Sequence, residues 1–241
     1  MNAIRYASLS ERGVRATNDD AIIAEQLGEY HVFALASGDV LRPGGQVASD
    51  IAIRCLRDEI HDANGRPPPT ILASAVLRAD TEIRAESKKS RDREGMSTRL
   101  SACMIDPEMI CTLLDTGEGG ACFVGPDRIR TPREHVPPGR NTGSGVRAPK
   151  GRGGCEQMLS HTLGAPRVLK ESDISTTGLG DSILLLSSDG LHDVVKKERI
   201  LDIVNRYRED LEAACEFLIH QALTDGSDRT ISVVLVRGAD A

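Results

Sequence analysis

Four short polar islands, far apart in the chain, constrain this sequence more than any other feature. Three of them place an aspartate beside a glycine or serine, next to an apolar run that predicts a strand. An aspartate at the mouth of a strand packs poorly, but its carboxylate is well placed to bind a hard cation. We therefore predict that one metal centre is assembled from the whole length of the chain, by the islands Asn18-Asp19-Asp20, Ser37-Gly38-Asp39, Ser188-Asp189-Gly190 and Gly226-Ser227-Asp228.

The length and composition favour one soluble domain over residues 1–241. Only 2% of the residues are aromatic, so Val, Ile, Leu and Ala must form the core. The net charge of −6 argues against a nucleic-acid partner, because phosphate backbones select basic surfaces. No apolar run approaches the roughly 18 residues that a membrane span requires, and the first residues lack the layout of a secretion signal. We expect a cytoplasmic, monomeric protein with no membrane partner.

The cysteines are predicted to be buried, reduced thiols rather than a disulfide framework. No C-x-x-C pair is present, and most of the cysteines lie within apolar runs, where a thiol behaves as a small hydrophobic group. The six are Cys55, Cys103, Cys111, Cys122, Cys155 and Cys215.

The order of predicted elements favours an α+β fold. Helices are grouped between blocks of strands, which suits two mainly antiparallel sheets stacked face to face with a helix pair on each outer face. Strands are predicted at 4–8, 21–26, 31–36, 100–105, 109–115, 121–125, 128–131, 182–187 and 230–236, the middle four as one meander. Helices are predicted up to residue 61 and at 69–85, 156–163, 194–207 and 210–223, with a basic loop at 132–154 that is either a substrate flap or a solvated connector.

At this point the motifs resemble those of a known family, the metal-dependent protein serine/threonine phosphatases of the PPM type (type 2C). The resemblance covers nearly the whole chain and implies the four-layer αββα sandwich of that family. Single motifs such as Ser-Asp-Gly are common turns, so the specificity lies in their order. The motifs are Arg15 to Asp20, Ser37-Gly38 with Gly44-Gly45, Met96 to Leu100, Gly117-Glu118-Gly119, Leu159 to Gly164, Ser188 to Leu191 and Gly226 to Thr230.

The resemblance also implies roles for the island residues. Asp20, Asp189 and Asp228 would bind two Mg²⁺ or Mn²⁺ ions directly, Asp19 through water and Gly38 through its carbonyl oxygen. Arg15 would bind the substrate phosphate, for which a planar guanidinium is suited. Glu118 and Asp193 stand where the family binds a third, weaker ion. His161 and His192 flank motifs, but no partner is evident for either, and we interpret both as structural.

Two positions depart from the family pattern. Ser37 replaces an aspartate that bridges both ions, and its loss leaves their mutual repulsion less compensated. Asp39 lies two residues further on and is a candidate substitute if its loop bends inward. Arg229 replaces an asparagine beside Asp228, where a cation would either repel a metal ion or recruit phosphate.

Two functions therefore remain open at the level of sequence. The first is hydrolysis of phosphoserine and phosphothreonine in proteins, a signalling reaction that Ser37 would attenuate. The second is a regulatory module that binds phosphoproteins without turnover. A nucleotide cradle around Gly143-Ser144-Gly145 is disfavoured, because the full phosphate-loop pattern is absent.

Overall fold

Two five-stranded antiparallel sheets stack face to face. The computed structural model of the protein describes residues 4–116, 120–132, 162–165 and 174–238. The strand order is β2-β3-β4-β5-β8 in the first sheet and β1-β10-β9-β6-β7 in the second. The strands are β1 (Ile4–Glu11), β2 (Asp20–Leu27), β3 (Tyr30–Gly38), β4 (Thr98–Ile105), β5 (Ile110–Asp115), β6 (Ala121–Val124), β7 (Ile129–Arg130), β8 (Ile174–Gly178), β9 (Ile183–Ser187) and β10 (Ile231–Gly238).

Helix pairs cover the outer faces of both sheets, as the order of elements predicts. One helix pair packs on the first sheet and the other on the second, and each contact is a separate apolar cluster. A third apolar cluster, which includes Phe33, Leu35, Phe123 and Val234, fills the space between the sheets. The helices are α1 (Gly45–His61), α2 (Pro68–Ser87), α3 (Asp189–His192), α4 (Lys197–Arg206) and α5 (Leu211–Thr224), with a 3-10 turn at Arg91–Arg93. The αββα sandwich is therefore confirmed.

Period-two alternation determines which side chains face the layer between the sheets. Phe33 and Leu35 of β3 lie in that layer, and Ser37 continues the same face. In the same way Asp20 lies two residues before Ile22 at the start of β2, and Ser188 lies two residues after Leu186, beyond the end of β9. The apolar inner layer thus ends in polar side chains at one end of the sandwich.

The predicted meander over residues 100–131 is wrong in one respect. β4 and β5 pair in the first sheet, whereas β6 pairs with β9 and β7 in the second. The chain therefore crosses from one sheet to the other after Asp115. Turns of hairpin length are compatible with such a crossing, because turn length alone does not determine which sheet receives the next strand.

Other differences are local. β8 was not predicted, because its sequence Ile174-Ser-Thr-Thr-Gly has little apolar pattern, and it is held as an edge strand by β5. The helix predicted at 194–207 spans Lys197–Arg206, and the short α3 precedes it. The predicted helix at 156–163 lies outside the described residues except for its end, where Leu163 forms an antiparallel bridge with Thr98. The basic loop lies outside the described residues from 133 onward.

Five of the six cysteines lie in the described residues, and all five are free thiols, as predicted. Cys122 is partly exposed and the other four are buried, while Cys155 lies outside the described residues. Within the part of the chain that the structure describes, no helix is long and apolar enough to cross a membrane.

Candidate active site

Polar residues from both sheets converge at one end of the sandwich. Asp20 on β2 lies directly opposite Ser37 on β3, and Ser37 lies opposite Arg99 on β4. Because directly opposed residues project to the same face of a sheet, these three side chains form a row toward the second sheet. A small cavity of about 60 Å³ at this end is lined by Ser37, Gly38, Asp39, Val40, Leu41, Arg99, Asp189, Gly190, Arg229 and Thr230. Residues of the second, third and fourth islands, or their immediate neighbours, therefore share one cavity.

Two glycines allow the elements around this cavity to approach closely. A Cβ atom on Gly38 would lie 2.6 Å from the backbone carbon of Gly45 at the start of α1. A Cβ atom on Gly190 would lie 2.1 Å from the carbonyl oxygen of Thr230. Both distances are shorter than any real contact allows, so a side chain at either position would push β3 from α1, or α3 from the approach to β10.

Asp20 is buried in an environment that does not satisfy a carboxylate. Neither of its carboxylate oxygens has a hydrogen-bond partner among the described residues. Burial raises the pKa of Asp20 above its ordinary value, because desolvation disfavours the charged form. The nearby hydroxyl groups of Ser232, Ser37, Ser188 and Thr230 partly oppose this rise. A divalent cation would satisfy such a carboxylate.

Asp189 is in the opposite situation, because two guanidinium groups already engage it. Its side chain is only 11% exposed, and its Oδ2 atom forms an ion pair with Nη2 of Arg99. Nη1 of Arg229 donates to the same oxygen at 2.9 Å and also lies 2.9 Å from Oδ2 of Asp193. One carboxylate oxygen thus has two cationic partners.

The two arginines are close enough to influence each other. Burial lowers the pKa of Arg99, and the nearby charge of Arg229 lowers it further. Asp193, Asp39 and Asp115 act in the other direction. The site therefore holds two like charges that the surrounding carboxylates keep together.

His192 does not contribute positive charge to Asp189. Its Nδ1 atom lies 3.1 Å from the hydroxyl oxygen of Ser187, a partner that the sequence did not indicate. Burial lowers the pKa of His192 to about 4. The imidazole is therefore neutral at physiological pH, and its Nε2 atom, 3.9 Å from Oδ1 of Asp189, forms no ion pair there. A structural role for His192 agrees with this environment, while His161 lies outside the described residues.

Arg15 and Asp19 form a loose pair at the rim. The Nη2 atom of Arg15 lies 3.8 Å from Oδ2 of Asp19, and the arginine side chain is 37% exposed. Thr17 donates a hydrogen bond of 3.2 Å to the other oxygen of Asp19. The backbone carbonyl of Asp19 accepts from the amide of Gly38 at 3.0 Å, which fixes the first island beside the second. A solvent-facing guanidinium in this position is accessible to a substrate phosphate.

Asp39 lines the cavity, but its carboxylate holds its own loop. Oδ1 accepts from the amide of Leu41 at 3.0 Å, and Oδ2 accepts from the hydroxyl of Ser97 at 3.2 Å. For Asp39 to take the place of the missing bridging carboxylate, both of these hydrogen bonds would have to break. That substitution stays a prediction.

The remaining predicted ligands are not gathered into the cavity. Asp228 is exposed and is not among the lining residues, although its neighbours Arg229 and Thr230 are. Asp193 is not a lining residue either, and it forms an ion pair with Arg229 at the site. Glu118 lies outside the described residues. Across residues 4–116, 120–132, 162–165 and 174–238, no group of three His, Cys, Asp or Glu side chains is placed to hold a metal ion.

The fit to a pair of divalent ions is therefore partial. Asp20 offers two unsatisfied oxygens, which suit a hard cation. Ser37 offers a single neutral oxygen where the bridge between two ions would be, and Asp189 is engaged by guanidinium groups. The described residues thus offer a cation the carboxylate of Asp20, but they do not fit a pair of ions that shares a bridging carboxylate.

Sequence reasoning assigned no role to Arg99. The residue was noted only within the motif Met96 to Leu100. A signal was present, because the alternation of β4 places position 99 on the same inward face as Cys103. A charged residue at an inward position of an apolar strand requires a charged partner.

Comparison with known proteins agrees with this fold. The family model of protein phosphatase 2C matches residues 154–231. The serine/threonine protein phosphatase PstP of Mycobacterium tuberculosis is 29% identical over 266 aligned positions, which cover 98% of this chain and 45% of PstP. Probable protein phosphatase 2C 71 of Arabidopsis thaliana is 27% identical over 238 positions, covering 92% of this chain and 51% of that protein. The chain thus spans about half the length of these curated relatives.

Solved structures show the same arrangement. The crystal structure of the M. tuberculosis phosphatase PstP/Ppp matches with a TM-score of 0.74 at 25% identity, covering 98% of this chain and 99% of that one. A bacterial serine phosphatase matches with a TM-score of 0.79 at 18% identity, covering 99% of both chains. The catalytic domain of PstP has also been crystallised in complex with two manganese ions.

The fold is that of the 2C-type protein phosphatases. The chain is similar to the PPM-type serine/threonine protein phosphatases, which confirms the resemblance that the order of its motifs indicates.

Proposed function

We propose that this chain hydrolyses phosphoserine and phosphothreonine esters in proteins, at a rate that Ser37 attenuates. The convergence of the islands carries this proposal. Ser37, Asp189 and Arg229 line one cavity where the inner layer becomes polar, and Asp20 lies directly opposite Ser37. Charged side chains at the end of an apolar layer do not contribute to core packing, whereas a site that binds phosphate requires them. The substrate would be a phosphorylated protein, and the setting a cytoplasmic signalling pathway in which the chain acts as a monomer.

The proposal includes a divalent cation, Mg²⁺ or Mn²⁺, held beside Asp20. The unsatisfied oxygens of Asp20 and the two manganese ions bound by the PstP catalytic domain support it. Such an ion, when bound, would lower the pKa of a water molecule and neutralise charge on the phosphoryl oxygens. The second and third ions rest on the family resemblance through Asp189, Asp228, Glu118 and Asp193.

The chain's own residues have separate tasks in this scheme. Arg15, which is partly exposed at the rim, would orient the substrate by donating to two phosphate oxygens. The pairing of Gly38 with Asp19 keeps the first and second islands in register. The hydroxyl groups around Asp20 provide neutral donors that do not compete with a cation for its charge.

Attenuation follows from the row Asp20, Ser37 and Arg99. A carboxylate at position 37 would add negative charge between cation positions, and Ser37 cannot supply it. Even changes outside the direct ligands of a metal site cost roughly 10–100-fold in affinity or activity. We therefore expect this chain to turn over at least that much more slowly than an intact member of the family.

Hydrolysis of a phosphopeptide with added Mn²⁺ tests the proposal. Slow turnover that disappears in both Asp20→Asn and Asp189→Ala is the expected result. Arg199→Gln, on the exposed face of α4, is a matched control that should keep the wild-type rate. Equal rates in wild type and Asp20→Asn would show that the measured turnover does not come from this site.

A second function, binding of phosphoproteins without turnover, is favoured by one observation. Arg99 and Arg229 already neutralise Asp189, so guanidinium groups stand beside the position where a substrate phosphate would enter. Binding of a phosphopeptide and its unphosphorylated form, measured in EDTA, separates the two functions. Selective binding in EDTA with no turnover at saturating Mn²⁺ would favour the module. Turnover in Mn²⁺ without selective binding in EDTA would favour the enzyme.

A further inference from the structure

The negative charge of Asp189 is compensated by the chain itself. Its buried carboxylate has two guanidinium partners on a single oxygen. Arg99 and Arg229 come from different sheets, β4 and the turn before β10, so this contact also ties the two halves of the sandwich together. A buried ion pair of this kind is stable only while every charge keeps its partner.

Three residues around the cavity shift its charge in the same direction. Ser37 stands where the family pattern has an aspartate and Arg229 where it has an asparagine, and Arg99 brings a further positive charge to the inner face of β4. All three line the same cavity. Each change makes the site less attractive to a metal ion, and together they supply positive charge that an ion would otherwise bring.

The two guanidinium groups disfavour a cation at Asp189. An ion bound to Oδ2 would lie beside both guanidinium groups, whose charge would repel it at short range. It would also have to take the carboxylate from two charge-assisted hydrogen bonds. Among the residues that the structure describes, no guanidinium group engages Asp20, and the groups that act on it are neutral hydroxyls. The two halves of the site thus differ in their capacity for metal.

We propose that Arg99 and Arg229 are built-in counter-ions that exclude a divalent cation from Asp189. The inference concerns the same site as the proposed function, but it is tested by metal binding and by stability, neither of which requires turnover. With these counter-ions in place, the folded state does not require a metal ion at Asp189. At most one strong cation position remains, beside Asp20. The two arginines therefore weaken metal binding in addition to Ser37.

Binding of Mn²⁺, measured by calorimetry and by electron paramagnetic resonance, tests the proposal directly. The double variant Arg99→Thr/Arg229→Asn introduces neutral residues and should bind one more Mn²⁺ ion than wild type, or bind Mn²⁺ at least tenfold more tightly. Adding Asp189→Asn to the double variant should abolish the gain. Arg199→Gln removes an exposed arginine on α4 and should leave Mn²⁺ binding unchanged.

Thermal melting provides a second, independent measurement. Without the arginines, Asp189 becomes an uncompensated buried carboxylate, so the double variant should melt at a lower temperature than wild type in EDTA. Mn²⁺ should restore its melting temperature by more than it raises that of wild type, and Asp189→Asn should restore it without metal. A double variant that is unfolded in EDTA and folds on addition of Mn²⁺ therefore supports the proposal.

Two results would overturn the inference. One is Mn²⁺ binding with the same stoichiometry and affinity in wild type and the double variant. The other is a double variant that stays unfolded in Mn²⁺ and is not rescued by Asp189→Asn, since the arginines would then serve packing rather than charge. Absence of phosphopeptide turnover, by contrast, would count against the proposed function and not against the counter-ion role.

Discussion

At the scale of single residues, Asp20 shows a conflict between stability and function. Its carboxylate is buried, raised in pKa and without hydrogen-bond partners among the described residues. An unsatisfied buried group of this kind destabilises a fold by roughly 1–3 kcal/mol. A bound cation would satisfy both carboxylate oxygens and offset this cost, so Asp20 is a strong candidate for a cation ligand.

Asp20→Asn should therefore stabilise the metal-free protein. Because the folded-state pKa of Asp20 is raised, the folded state holds the proton more tightly, and the free energy of unfolding falls as pH rises from the ordinary value of 3.8 to the raised value. Chemical denaturation in EDTA at pH 7.5 should show a gain of roughly 1–3 kcal/mol for the variant. The gain should vanish below about pH 4 and shrink in Mn²⁺, which binds the wild-type carboxylate.

The result that would contradict this account is a variant less stable than wild type at pH 7.5 in EDTA. It would mean that Asp20 makes favourable contacts as a carboxylate even without a metal ion.

Ser37→Asp tests the neighbouring position in the row. The new carboxylate would lie opposite both Asp20 and Arg99, so it would meet one like charge and one opposite charge. We expect a higher rate of phosphopeptide hydrolysis in Mn²⁺, by at least about 10-fold, the lower bound for altered metal sites. Ser37→Asp/Arg99→Thr should gain more than Ser37→Asp alone, because Arg99 would otherwise neutralise the new acid.

Equal rates for wild type, Ser37→Asp and the double variant would show that position 37 does not limit the reaction. Ser37→Asn is a suitable control for the size of the side chain, because it adds no charge.

At the scale of elements, the site depends on the close approach of β3 to α1. The two elements meet at Gly38 and Gly45, where a hypothetical Cβ on Gly38 would lie 2.6 Å from backbone. The backbone N–H groups of Gly38 and Asp39 donate hydrogen bonds to the carbonyl oxygens of Asp19 and Ser97, which fix the start of the loop between β3 and α1. The end of β3 is thus held on three sides, by β2, by β4 and by α1.

Gly38→Ala should separate these elements. The added methyl group would overlap backbone that has no rotamer to adopt, and overpacking typically costs 1–3 kcal/mol. Urea denaturation should show a loss in this range, accompanied by weaker Mn²⁺ binding. Gly178→Ala, at the end of β8 with no atom within 4 Å of its added methyl, is the matched control and should change stability by less than about 0.5 kcal/mol. Equal effects at both positions would disprove the close-approach argument.

The sequence predicted elements well where apolar alternation was strong and poorly where it was not. The strands around Phe33 and Leu184 and the paired helices were predicted with small errors at their ends. β8 was missed because its polar residues carry no pattern, and its strand form comes from pairing with β5. The crossing of the chain between β5 and β6 was missed because it depends on which sheet has a free edge, a property of the assembled fold.

The candidate site was predictable only in part for a related reason. The convergence of Asp20, Asp189 and Asp228 was inferred from the order of motifs. Asp189 lines a cavity together with Ser37, and Asp20 lies opposite Ser37, but Asp228 is exposed and is not among the residues that line it. The pairing of Arg99 and Arg229 with Asp189 was not inferred, because it joins residues from both sheets across the inner layer. Local sequence patterns report which face a side chain takes, but not what the opposite sheet presents to it.

At the scale of the whole molecule, two sheets supply opposite halves of one polar end. The first sheet contributes Asp20, Ser37 and Arg99, and the second contributes Asp189 and Arg229 through its strand ends. The apolar layer between the sheets sets their separation. Core packing therefore determines the distances between the site residues of the two sheets. The site is therefore a property of the sandwich, and charge changes at three positions can alter it without altering the fold.

The most direct test of the central claim is the rate of phosphopeptide hydrolysis in saturating Mn²⁺ for wild type and for the triple variant Ser37→Asp/Arg99→Thr/Arg229→Asn. An attenuated phosphatase of the 2C type predicts slow turnover in wild type, at least about 10-fold faster turnover in the triple variant, and none when Asp20→Asn is added to either. A folded triple variant that binds Mn²⁺ yet hydrolyses the phosphopeptide no faster than wild type would contradict it.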